Sequence, residues 1–369
     1  MDIRYEPIRD CFFDTCKRQG MLNVAPVSLV PPHDDTVYFT SSTITGLKSM
    51  VLNDQIPVNG VYLHQPCFRL HSIHEPFYDG EKIKYPGYFN MLGVLVPADS
   101  ILNLQHTIID IMDNQGIDRN KIKLNTTAKE PMLVQELKSY YEVEYDTRQP
   151  KSYDWTYGMG QDITGTGMTF YIRQDTGEYK RLGQYIIIYN KGKPIAAEYG
   201  CGIEVFLART QNYKNEYDAF SIAPILHKNG RSVDFANEHV FSSVAAAYST
   251  GMSLKNNPSK GYKKNLLCII RNLLLLKERD KLSNEQILNI LKQYTMVEFG
   301  DDKFVATIMQ DLYQQEQELM VQKSRAEAFL ANPYNRTKTP SEMEAKLQEL
   351  YPFYIRYQNT LNQNQKARI

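Results

Sequence analysis

What the sequence lacks narrows it first. No stretch of the 369 residues approaches the ~20 consecutive apolar residues that span a bilayer, so no membrane partner is expected. The opening MDIRYEPIRD carries acids and no apolar core, so it does not read as a signal peptide, and a cytoplasmic location is expected. The five cysteines, Cys11, Cys16, Cys67, Cys201 and Cys268, form no CxxC pair, which argues against structural zinc; an odd, scattered set suits reduced thiols in a cytosol. His71 and His74 stand three apart, but no Cys or His pair follows them, so a solvated loop and no metal site are expected. Formal net charge is zero, which speaks against a nucleic-acid binder driven by total charge. There is no internal repeat and no low-complexity tract, and Trp155 is the only tryptophan.

What is present is ordinary in bulk and patterned in detail. Hydrophobic residues at 42% and charged residues at 23% fit a globular chain, and the length suits two or three domains. The first ~210 residues mix β-like runs with turns. Val61–Leu63, Tyr88–Val96, Met168–Arg173 and Gln184–Asn190 read as strands from their β-branched and aromatic content. Ile8–Gln19 reads as an opening helix, and 138–158, polar and Tyr-rich, as an exposed connection. After Asn212 the texture changes: 237–250, 261–279, 284–294, 302–330 and 340–361 read as helices, Gly and Pro become sparse, and Ser283 and Ser341 supply N-terminal signals. The domain boundary is placed at 212–235, giving 1–212 and 213–369.

The stretch from Gly183 has the densest pattern. GQYIIIYN is an apolar strand, KGKPI a tight turn, AAEYG a second strand, and CGIEVFLARTQ opens a helix. Gly200 and Gly202 lack Cβ and let backbone approach a ligand near helix N-terminal amides. A second local signal is charge: from Lys255 to Arg279 there are seven basic residues against one acid, Glu278. Leu266, Ile269, Ile270, Leu273 and Leu274 repeat at helical spacing and are core, which puts Lys260, Lys263, Lys264 and Arg271 off that face, available to phosphate.

Four segments in order resemble the alanyl-tRNA synthetase family of class II synthetases. Residues 28–52, SLVPPHDDTVYFTSSTITGLKSMVL, are similar to the segment leading into the first class II motif. VYLHQPCFRL at 61–70 and YPGYFNMLG at 85–93 are similar to the two strands of the second, and YGCGIEVFL at 199–207 to the third. Residues 244–276 resemble the start of the family's tRNA-recognition domain, with Gly261-Tyr262 the clearest point. The resemblance implies an α+β fold, an antiparallel sheet of six or more strands flanked by helices and followed by an all-α domain. It further implies ATP with Mg2+, a small amino acid with alanine expected, tRNA or aminoacyl-tRNA as partner, and self-association.

The same resemblance assigns roles. Arg69 grips the α-phosphate and the carboxylate, chemistry that suits a bidentate guanidinium. Lys84, Asn90, Gly202 and Arg209 fall at or near the ATP, and Trp155, Asn190, Glu198 and Gly200 around the amino acid. Asn257 lies close to the asparagine that reads the acceptor stem. Departures accompany these matches. Val205 stands where the third motif has its γ-phosphate arginine, and Arg209, one turn on, is the candidate replacement. Glu198 replaces an aspartate, Asn90 a glutamate, and Lys84 an arginine; Met168 falls where an acid is expected. The His and Cys zinc cluster of the editing domain is missing. Three readings follow: an enzyme that activates or transfers a small amino acid to an acceptor that need not be tRNA; a non-catalytic relative that binds tRNA, aminoacyl-tRNA or a protein; and, ranked last because of Val205, a minimal alanyl-tRNA synthetase.

Overall fold

The structure, a computed structural model, describes residues 2–31, 37–74, 76, 77, 86–127, 131–147, 153–156, 159, 162–332, 335 and 339–366. Contacts divide the chain into two units. One comprises Met1–Arg69 and Tyr88–Ala223, the other Leu70–Gly87 and Pro224–Ile369.

The first unit is built on a sheet of nine strands among the described residues: β1 (Leu22–Asn23), β2 (Val61–Phe68), β3 (Tyr88–Pro97), β4 (Ile122–Thr126), β5 (Glu142–Tyr145), β6 (Asp154–Thr156), β7 (Ile163–Arg173), β8 (Tyr179–Asn190) and β9 (Lys193–Gly202). Their order is β1-β2-β3-β9-β8-β7-β4-β5, with β6 paired to β7; β1–β2 and β4–β5 are parallel and the other pairs antiparallel. Four α-helices among the described residues belong to it: α1 (Glu6–Arg18), α2 (Thr43–Leu52), α3 (Ile101–Asn114) and α4 (Ile203–Thr210). The α+β class with an antiparallel sheet flanked by helices is as the sequence implies.

Local chemistry fixes the register. Lys191 and Gly192 both have positive φ, 50° and 77°, which is the two-residue turn whose twist matches a β-hairpin, and Asn190 pairs with Lys193 across it. Pro7 sits in the first turn of α1, where its missing N–H costs nothing. One face of the sheet then buries Leu92, Val94, Phe170, Tyr185, Ile187 and Tyr199 against α1 and α3, whose Phe12, Cys16, Leu104, Ile108, Ile111 and Met112 point into the same core. Each such aliphatic or aromatic side chain contributes roughly 1.5–3 kcal/mol by leaving water. The opposite face is covered at one end by Ile44, Leu47 and Val51 of α2, which pack on Val61, Leu63, Leu95, Ile188 and Ala196.

Two sequence expectations need correction in this unit. The polar stretch 138–158 contributes β5 and β6, edge pieces whose side chains are mostly exposed and so lack the apolar alternation of an internal strand. The helices α2 and α3 lie where only strands and turns were expected. The units divide after Ala223, inside the 212–235 placed from the sequence, and Leu70–Gly87, between β2 and β3, is grouped with the helices.

The second unit contains α5 (Ala223–Lys228), which begins at the boundary, then α6 (Phe235–Ser249), α7 (Lys260–Asp280), α8 (Asn284–Phe299), α9 (Val305–Ala331), α10 (Pro340–Leu350) and α11 (Pro352–Lys366). Its centre is α6, buried from Phe235 to Tyr248 on every side. Asp234 caps α6 through the Asn237 N–H at 2.8 Å, and Ser283 with Gln286 forms a capping box on α8. The single helix expected over 340–361 is two, because Pro352 has no N–H to continue the ladder and holds Tyr351 out of the helical region, at φ −133°. No helix among the described residues is long and apolar enough to cross a membrane.

Candidate functional site

Side chains alternate between the two faces of a strand, so the register assigns every candidate residue to one side. On the side away from α1 and α3 lie Phe89, Met91, Gly93 and Leu95 of β3, with Glu198, Gly200 and Gly202 of β9 as their partners from Leu95 back to Met91. Gln184 of β8 is paired with Gly200, and Ile186 with Glu198. The middle of this face is a strip of strand without side chains. A Cβ on Gly93 would lie within 2.6–2.8 Å of the Thr43 side chain, and one on Gly200 would be 3.2 Å from Met91 Cε and 3.5 Å from Thr43 Oγ1. A Cβ on Gly202 would meet Val205 at 3.8 Å. These glycines let the first turn of α2 and the first turn of α4 approach the sheet.

Arg69, just past the end of β2, lies at the rim of this face. Its Nε donates to the Ser41 carbonyl at 2.9 Å, its Cζ lies 4.6 Å from the Phe89 ring centroid, and Nη2 is 4.0 Å from Met91 Sδ. Ring and carbonyl together fix the plane of the fork. Glu198 is buried, 8% exposed, flanked in register by Leu95 and Ile186. An acid, a cation and a strip of bare backbone thus share one face. Trp155, partly buried on β6, is paired with Gly165, which in turn pairs with Ile188 on the same side.

Other expected residues stand elsewhere. Asn90 is on the opposite face and 1% exposed. Its backbone N and Nδ2 donate to Glu204 Oε1 at 2.9 and 3.0 Å, and its Oδ1 is 2.9 Å from His64 Nε2. Since Nδ2 donates to Glu204, Oδ1 is left to accept, which makes His64 the Nε2–H tautomer. Burial holds the His64 pKa down, to about 4, against the raising effect of its bond to Asn90. The pair Glu204 and Asn90 therefore ties α4 to β3, a role that the period-two alternation Phe89-Asn90-Met91 signals. Arg209 shares a helix face with Val205, yet its Nη2 is held by Glu216 Oε2 at 3.4 Å, and Glu216 is shared with Lys180 Nζ at 2.7 Å. That engagement leaves Val205 without a cation from Arg209. Asn190 is exposed at the β8–β9 hairpin end, about 13 Å along the strand from Ile186 at ~3.3 Å per residue. Lys84 lies outside the described residues.

In the helical unit, Lys260, Lys263 and Lys264 are exposed on the first turns of α7, and Arg271 follows on the stripe of Lys260 and Lys264. Asn257 Nδ2 donates to the carbonyls of Ser253 and Leu254 at 3.3 and 3.2 Å, closing the turn that precedes α7. Lys255, Asn257 and Lys263 line a depression of about 480 Å3 with Gln314 and Gln315. Lys277 pairs with Glu316, and Arg279 with Asp280 and Asp234, so the far end of the basic run is neutralised. Among the described residues no group of three or more His, Cys, Asp and Glu side chains is placed to hold a metal.

No family model and no curated protein sequence matches the chain. Its structure is similar to solved aminoacyl-tRNA synthetases of class II, at low identity. Apo histidyl-tRNA synthetase of S. aureus matches at 11% identity and a TM-score of 0.39, over 64% of this chain and 74% of that one. Aspartyl-tRNA synthetase of Entamoeba histolytica matches at 12% and 0.35, over 59% and 57%. The pyrrolysyl-tRNA synthetase PylSc of Desulfitobacterium hafniense matches at 9% and 0.35, over 58% and 71%.

Proposed function

We propose that this chain activates or transfers a small amino acid, alanine being the expected group, through an aminoacyl-adenylate or an aminoacyl-tRNA, to an acceptor that need not be tRNA. The observation that carries the reading is the single sheet face on which Arg69, Gly200, Gly202 and Glu198 are gathered. In adenylate formation a carboxylate oxygen attacks the α-phosphorus of ATP and pyrophosphate leaves. The reaction needs little acid–base chemistry; it needs charge stabilisation and alignment. Arg69, its plane fixed by Phe89, would hold the phosphate and the carboxylate. Glu198, buried between Leu95 and Ile186 in register, would hold the α-ammonium. Gly202 carries no Cβ and the nearest side chain there is Val205 at 3.8 Å, so a ligand could lie against backbone at that end, whereas over Gly200 Met91 and Thr43 already approach the sheet. Mg2+ would arrive with the nucleotide and supply charge to its phosphates.

A second reading, a non-catalytic relative that holds tRNA, aminoacyl-tRNA or a protein partner, is favoured by one specific placement. By the resemblance Val205 falls where the family has its γ-phosphate arginine, and Arg209 is engaged by Glu216. The exposed Lys260, Lys263 and Lys264 beside Asn257 suit the phosphates of an RNA in either reading. Exchange of labelled pyrophosphate into ATP, followed with each small amino acid in turn, separates the two. Exchange that depends on one amino acid supports the enzyme. Its absence with every amino acid, in folded protein, removes the adenylate route and leaves aminoacyl-tRNA use or binding.

A further inference from the structure

The helical unit holds a recess of about 640 Å3 that the proposed chemistry does not use. Two arginines meet in it. Arg271, from the middle of α7, donates from Nε to Gln315 Oε1 at 2.8 Å, and its Cζ lies 4.1 Å above the Phe353 ring. These contacts orient the guanidinium and leave both Nη atoms without a bond among the described residues. Arg356, from α11, is the fixed member. Its Nη2 donates to Asn272 Oδ1 at 2.8 Å and to the His74 carbonyl at 3.3 Å, and Nη1 reaches Cys268 Sγ at 3.6 Å.

Two arginines lining one recess need an explanation. Burial lowers the Arg271 pKa from its ordinary value; the charge of Arg356 acts in the same direction and Glu318 against it. Glu278 is engaged by the Tyr357 hydroxyl at 3.2 Å. Among the described residues no carboxylate lines the recess. A pair of partly desolvated cations without a lining acid is costly until an anion arrives, and a fork with free Nη donors fits phosphate geometry. The remaining walls are of a different kind: Phe77 offers a ring, and Gln348 and Asn359 offer amides that both donate and accept. The volume falls within the ~300–1,000 Å3 of small-molecule sites and exceeds what a bare oxyanion needs.

We propose that this recess binds a nucleoside phosphate, with the phosphate on the Arg271 Nη pair beside Arg356, the base against Phe77, and its edge read by Gln348 and Asn359. The ligand is either a free nucleotide or one residue of a single-stranded RNA; the chemistry of recognition is the same. The site is independent of the sheet-face chemistry proposed above.

The test is titration calorimetry on the full chain with AMP, adenosine, inorganic phosphate and a single-stranded tetraribonucleotide. The expected result is that AMP binds, that adenosine binds at least about tenfold more weakly, that Arg271→Gln weakens AMP by about tenfold or more, the loss of one charged hydrogen bond, and that Asn359→Asp, which removes the amide donor and sets an anion beside the phosphate, weakens it by a similar factor. Asn359 is exposed, so the second substitution keeps the test valid if the first disturbs packing. Tighter binding of the tetranucleotide, with the same dependence on Arg271 and Asn359, identifies an RNA strand as the source; tighter binding of AMP identifies the free nucleotide. The assignment is overturned if neither binds the folded protein, if inorganic phosphate binds as tightly as AMP, or if binding ignores both substitutions. Binding that is lost in Arg69→Ala and kept in both recess variants belongs to the sheet face, which overturns this site while supporting the other.

Discussion

The two faces of the sheet are made by the same strands and could hardly differ more. On one side β3, β7, β8 and β9 present Leu92, Val94, Phe170, Tyr185, Ile187 and Tyr199, all fully or nearly buried beneath α1 and α3. On the other, residues one step along the same strands are Gly93, Gly167, Gly200 and Gly202, with Glu198 and the Arg69–Phe89 stack beside them. On the second side the packing comes from α2, whose Thr43 rests against Gly93, and the missing side chains admit that close approach. Because adjacent residues point opposite ways, a shift of one position moves a residue between these tasks. Asn90 and Met91 illustrate it: neighbours in sequence, one clamps Glu204 in the interior and the other lines the open face.

Substitutions can break this contrast from either side. The largest effect is expected from Phe170→Ala on the packed face. Phe170 stacks edge-on against Tyr141 and Tyr199 with centroids 6.2 and 5.7 Å away. About 3–5 kcal/mol of stability should go, read as a lower denaturant midpoint, with little meaning for ligand binding. Arg69→Ala on the open face should do the reverse. If adenylate forms there, exchange should fall about 10²–10³-fold, while the unfolding midpoint moves much less than in Phe170→Ala. A smaller loss is expected from Gly93→Val, whose branches would drive into Thr43. Overpacking of this kind costs about 1–3 kcal/mol, and the variant would show whether α2 can lift from the sheet. An unchanged melting temperature would mean that the glycine strip is not closed down by α2 as described.

A further effect is a pH dependence centred on His64. Its folded pKa of about 4 lies below the unfolded value near 6.5, so the folded state resists protonation that the unfolded state accepts. Above pH ~6.5 both states are neutral and the residue adds no pH dependence. As pH falls from there toward about 4, stability should decline, by at most about 1.4 kcal/mol per pH unit for one proton. His64→Gln should flatten that part of the stability profile. A slope that persists unchanged in the variant would place the titration elsewhere.

Much of the architecture was legible in the sequence, and the exceptions have physical causes. The helix α7 announced itself because Leu266, Ile269, Ile270, Leu273 and Leu274 recur at its period, and β8 with β9 because an apolar run meets a Lys-Gly turn. The helix α3 was hidden by its isoleucines: Ile101, Ile108, Ile109 and Ile111 are β-formers by propensity, and only their packing on the sheet decides the matter. The strands β5 and β6 escaped because edge strands need no apolar alternation. At the candidate site, the family resemblance suggested Arg69 and Glu198, and the glycine pair before a helix suggested Gly200. What type alone did not convey was which face each residue takes, and that Arg209 has a nearer acid in Glu216. Asn90 was readable in principle, since counting in twos from Met91 puts it across the sheet.

The loop between β2 and β3 carries a consequence for any attempt to take the molecule apart. Leu70–Gly87 is counted with the helices, and the Ile73 carbonyl receives Cys268 Sγ at 3.2 Å and Asn272 Nδ2 at 2.6 Å from α7. The backbone therefore passes between the units three times, after Arg69, after Gly87 and after Ala223. No single scission yields an intact half: a fragment ending at Ala223 would carry Ile73, only 1% exposed in the whole chain, stripped of its neighbours. A sheet unit that stands alone would have to be made by excising the loop and rejoining Arg69 to Tyr88 through a tight turn, an operation on topology and not a truncation.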